Sequence, residues 1–160
     1  MKKYLNSGAI EAILDEYEKA LTELQSLLNK VNNKDLITIV DEKTEDSDCK
    51  SIQTVLTHII RAGYCYIIEI RKSLGEQIDF VERRTFNNVA EYQNELKKMF
   101  KYNEKLFEDY PNLRLEETDR EKKILVKWGQ QYDLEQLLEH AIVHILRHRR
   151  QIERFLIKLT

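Results

Sequence analysis

The chain has 160 residues, with 26 basic and 28 acidic side chains, a formal charge of −2 and 42% hydrophobic residues. That is the size of a single domain able to bury most of its apolar surface without disulfides, and the lack of a basic excess argues against a protein built to grip nucleic acid. One proline and four glycines mark little of the chain as turn, which favours long helices and predicts an all-α domain over residues 1–160.

The N-terminus, Met1-Lys2-Lys3-Tyr4-Leu5-Asn6, is basic but no apolar h-region follows it, and no apolar run approaches the ~18 residues that span a bilayer. A cytoplasmic protein without membrane contact is the expectation. The two cysteines, Cys49 and Cys65, are too few and too far apart for a disulfide framework or a CxxC zinc knuckle, which suits a reducing compartment.

From about Ser7 to Val31, Ile10, Ile13, Leu14, Tyr17, Leu21, Leu24 and Leu28 recur at spacings of three and four, predicting a helix capped by Ser7. A linker with an acidic patch from Asp41 to Asp48 follows. Its apolar stretch Leu36 to Val40 reads as a loop packed on the helices, because a lone strand would have no partner. The second helix starts at the N-cap Ser51 and runs to Leu74, where Gly75 stops it. Its apolar residues cover much of the circumference, so it should be largely buried. The third spans about Asn88 to Tyr110 and ends at Pro111, with a seam Val89, Tyr92, Leu96, Met99, Asn103, Leu106, Tyr110 interrupted only by Asn103. A polar connector from Asn112 to Tyr132 leads to a fourth helix, capped by Asp133 with Gln136 three residues on. Four amphipathic helices of this length predict a four-helix bundle.

Three of the four histidines lie on that last helix, in Glu139-His140-Ala141-Ile142-Val143-His144-Ile145-Leu146-Arg147-His148. Residues four apart are neighbours on one helix face, offset by about 40°. The apolar stripe of the helix lies nearest His148, then His144, and furthest from His140. His144 and His148 are therefore the pair expected to point inward. His58 sits in the middle of the most hydrophobic helix, where an unpartnered imidazole would cost a few kcal/mol. A divalent ion shared with His144 and His148 supplies the partner, and three neutral nitrogens leave a coordination position open. His140 reads equally well as a surface residue. Cys65, seven residues after His58, fits a buried core cysteine better than a fourth ligand or a reactive thiol. The zinc-peptidase pattern H-E-x-x-H is excluded because Ala141 and Ile145 follow the first two histidines of that helix. Di-iron bundles are excluded because Val55, Leu137, Ala141 and Ile145 stand three residues before the histidines.

The segments Ser51-Ile52-Gln53-Thr54-Val55-Leu56-Thr57-His58, Leu137-Leu138-Glu139-His140 and His144-Ile145-Leu146-Arg147-His148-Arg149-Arg150-Gln151 together resemble the DinB/YfiT-like superfamily of four-helix bundles over nearly the whole chain. The resemblance implies His58, His144 and His148 as metal ligands, zinc or nickel as the ion, and a homodimer. It also implies kinship with S-transferases that use low-molecular-weight thiols. Arg150 stands where that family commonly has Gly, and Lys50 where Trp often precedes the Ser.

The expected function is therefore a metal-dependent enzyme acting on a small molecule. Gln151 is placed to orient a ligand, and Arg147 to meet an anionic group of the substrate. The alternative is a non-enzymatic metal-binding or stress-response protein in which the ion ties two helices together. The basic residues Arg147, Arg150, Arg154 and Lys158 form a stripe on the last helix. Interleaved Glu153 and the acidic balance favour a solvated face over nucleic-acid binding.

Overall fold

The computed structural model describes residues 7–160, so the basic segment Met1 to Asn6 lies outside the described residues. Five helices and one small hairpin make up the fold: α1 Gly8–Leu28, α2 Asn33–Ile37, α3 Ile52–Ser73, α4 Val89–Asp109, β1 Ile124–Leu125, β2 Gln131–Tyr132 and α5 Leu134–Leu159. The four long helices are those the apolar periodicity predicts.

Their ends follow local chemistry. At α3, the Ser51 hydroxyl accepts from the Thr54 amide and the Thr54 hydroxyl accepts from the Ser51 amide, a reciprocal capping box. Asp133 and Gln136 make the same exchange at α5, with distances of 2.8 and 3.1 Å. The Asn88 side chain caps α4 by accepting from the Glu91 amide. Gly75, at φ +95°, takes the left-handed conformation that ends α3 without steric cost. Ser7 precedes α1 in extended conformation but makes no side-chain capping bond, and α1 ends at Leu28 rather than Val31.

Two connectors hold structure the sequence did not announce. Asn33–Ile37, expected as loop, is a short helix because Asn32 accepts from the Asp35 amide at 2.8 Å and closes its first turn. Leu36 alone of that apolar stretch reaches the core fully, while Ile37 and Ile39 stay half exposed. The connector before α5, read only as polar, folds back as an antiparallel pair with Ile124 opposite Tyr132 and Leu125 opposite Gln131. Gly129, at φ +88°, makes the turn. Two-residue strands are too short to show the alternation that reveals a strand in sequence.

α1 packs against α4 and α5, and α3 packs against the same two helices from the other side. Tyr17, Leu24, Ile67, Tyr92 and Phe107 are fully buried in the shared core. Asn103, the polar break in the α4 seam, is also fully buried, and its Nδ2 donates to the Met99 carbonyl at 2.8 Å. None of the described helices is long and apolar enough to cross a membrane.

α3 packs tightly on α4 at Gly63, where an added Cβ would stand 2.0 Å from the Met99 sulfur. Met99 is itself fully buried, so its flexible end can yield only into filled core. Gly63→Val is therefore expected to lower unfolding stability by about 2–3 kcal/mol, the usual cost of overpacking a filled core. Chemical denaturation of the variant beside wild type measures it.

Candidate metal centre

The site lies where α3 meets α5 beside the Ser47–Cys49 turn. α3 brings His58, and α5 brings His144 and His148 from successive turns of one face. His148 is the innermost, 7% exposed, as the wheel expects, whereas His140 and His144 are both half-buried. His58 departs from expectation in one respect. Its side chain keeps 32% of its surface, so it borders a cleft rather than lying sealed in the core.

The three rings converge. His58 Nε2 lies 2.8 Å from His144 Nε2, and His148 Nε2 lies 3.2 Å from the same atom. One ring nitrogen from each falls within 4.8 Å of the others, a grouping able to hold a metal ion. The outward nitrogens explain the orientation. His58 Nδ1 is 3.1 Å from an Asp48 carboxylate oxygen, which can only accept. His148 Nδ1 is 2.8 Å from Gln151 Oε1, an acceptor. Both Nδ1 atoms therefore carry the proton, and both Nε2 atoms present lone pairs inward.

This arrangement suits a cation. His144 Nε2 can donate a proton to one neighbour at most, which leaves a lone pair facing a lone pair at the other contact. Adding a proton is opposed by burial and by the neighbouring imidazoles, which push His144 from 6.5 down to about 2. His148 is also held below its ordinary value, by burial first and by His58 and Arg147 after it, with the Gln151 hydrogen bond opposing. A tetrahedral zinc site places nitrogens about 3.4 Å apart, so ring shifts of about 1 Å would bring all three to one ion. Asp48 and Gln151 then act as the groups that fix tautomer and ring orientation.

Asp48 also pairs with Arg83, which anchors the carboxylate from the loop before α4. Neither residue was legible as part of the site. The acidic patch containing Asp48 was the available signal, but its spacing to His58 across a loop-to-helix junction carries no period. Gln151 touches the back of the His148 ring, a position that orients the ring. Arg147 is exposed and lies beside the triad without touching it.

A cleft of about 420 Å³ opens onto His58 and His144. Tyr66, Trp128 and His140 line it, together with buried Cys65 and exposed Lys127. The β-hairpin builds the roof. Buried Glu69 accepts from the Lys127 amide at 2.9 Å and pins the turn to α3, so that Trp128 packs edge-on to Tyr66 with centroids 5.8 Å apart. His140 stays outside the triad. Its Nδ1 lies 3.2 Å from the Tyr132 hydroxyl, and its ring stacks on His144. Cys65 is buried 3.7 Å from the Lys127 ammonium and outside the ligand grouping. No protein-family model matches the chain, and no curated protein does.

Proposed function

We propose that this chain is a metal-dependent enzyme of the DinB/YfiT-like kind, holding one zinc or nickel ion through His58, His144 and His148. We further propose that its substrates are small molecules, one of them a low-molecular-weight thiol. The observation that carries this reading is the convergence of three imidazole nitrogens from two helices, each outer ring fixed from behind, at the mouth of a solvent-reachable cleft. A divalent ion there would lower the pKa of a thiol or water that reaches it.

The chain's own residues supply the rest. Asp48 holds the His58 proton on Nδ1, and Gln151 does the same for His148. Tyr66 and Trp128 offer an apolar wall for the acceptor, and the hairpin over them excludes water from one side. The open face of the triad favours a reacting centre over a sealed structural ion.

Two measurements test this. Removing the ion with a chelator is expected to leave the helical circular-dichroism signal nearly unchanged, since the apolar core is complete without the triad. Unfolding on chelation would make the ion structural and the protein a binding module. Metal-loaded wild type, given a small thiol and an aryl halide, is expected to consume thiol as the S–C bond forms and halide leaves. His144→Ala should not.

A further inference from the structure

A second cleft, of about 670 Å³, runs along the outer face of α5 beside the linker residues Asp41 and Cys49 and reaches His148 and Gln151. It shares no lining residue with the aromatic cleft. Arg147, Arg150, Arg154 and Lys158 line it, at spacings of three and four that put all four on one helix face.

These cations lack the partners that neighbouring charges have. Arg149, one position away, pairs with Glu23 and Glu153. Among the described residues none of the four in the cleft forms an ion pair, and Asp41 is the only carboxylate in the lining. Like charges three and four apart repel, so the row costs helix stability. The helix dipole compensates Lys158 and in part Arg154, but its effect fades beyond the last turn and cannot account for Arg147 or Arg150. Val143, Leu146 and Phe155 add apolar surface between the charges.

We infer that this cleft binds a small organic anion carrying at least two negative charges, seated on Arg147, Arg150, Arg154 and Lys158 with its apolar body against Val143, Leu146 and Phe155. A small anion fits better than nucleic acid or a lipid surface. These four cations line one concave strip, and the acidic remainder of a chain with net charge −2 would repel an extended polyanion. The inference does not depend on the metal reading, and its test separates the two.

The probes are isophthalate, a dianion on an aromatic ring, and benzoate, its monoanion, titrated into the full chain at low ionic strength and followed by amide NMR shifts. Isophthalate is expected to bind saturably, about tenfold tighter than benzoate, with the shifts centred on α5. Arg150→Gln with Arg154→Gln should weaken it about tenfold or more, as expected for loss of charge-assisted bonds. Lys97→Gln with Lys101→Gln, which removes equal charge from exposed α4 positions, should leave binding unchanged. His144→Ala should bind isophthalate like wild type, so a missing metal and a missing anion site give different results. Absence of saturable binding, equal weakening in both double variants, or loss of binding in His144→Ala would overturn the inference. So would tight binding of a short oligonucleotide or anionic vesicles that isophthalate fails to displace.

Discussion

His144→Ala is expected to lower divalent-metal affinity on the order of 10³-fold while leaving the helical spectrum intact, because it removes a ligand outright, where outer partners typically cost about 10–100-fold. His144 is the middle member of the triad and the only one whose ring nitrogen lies within 3.2 Å of both others. Its loss leaves only two ligands, His58 and His148, on different helices with ring centroids 5.0 Å apart. It borders the cleft, so truncating it enlarges an open space and leaves no sealed cavity. Asp48→Ala should weaken binding by about 10–100-fold, since it frees the His58 ring to turn and to move its proton to the inner nitrogen. His140→Ala should change nothing measurable, because that ring is held by Tyr132 outside the cluster. Competition with a chromophoric chelator ranks all three.

Acidification is expected to destabilise the chain and to release the ion over the same range. In the folded, metal-free state burial keeps His144 neutral down to about 2, whereas in the unfolded chain it titrates near 6.5. Between those values the unfolded state binds the extra proton, so folding stability falls as pH drops below about 6.5 and is fully present above it. Each such imidazole contributes a slope of about 1.4 kcal/mol per pH unit, so His144 alone implies a loss of about 2 kcal/mol between pH 7 and pH 5. His148 shifts in the same direction and adds to it. Metal affinity falls together with stability, because protons compete for the same nitrogens. Denaturant titrations of the metal-free protein at the two pH values measure the first effect, and a variant lacking His144 should show a shallower dependence. A flat profile in wild type would mean that the rings are not held neutral by the fold.

The parts of this protein that were legible in sequence are those with a period. Apolar residues at three-four spacing located α1, α3, α4 and α5, and the same periodicity placed His148 nearest the core. Capping residues fixed two helix starts closely, at Ser51 and Asp133, because their partners sit three residues away on the same turn. What stayed hidden was set by contacts between distant segments. Asp48 reaches His58 only because the Ser47–Cys49 turn folds against α3. Trp128, the single tryptophan, lies in a connector whose two-residue strands carry no pattern, yet the Glu69 bond to the Lys127 amide brings it over the cleft. The basic stripe on α5 was visible as a stripe. That its charges lack partners depends on which acidic side chains fold near it, and the sequence alone does not show that.

X-ray absorption at the metal edge of the loaded protein tests the central claim most directly. Three imidazole nitrogens at about 2.0–2.1 Å, reduced to two in His58→Ala, is the expected result for zinc. Fewer than three imidazoles in wild type, or a sulfur at about 2.3 Å from Cys49 or Cys65, would contradict it.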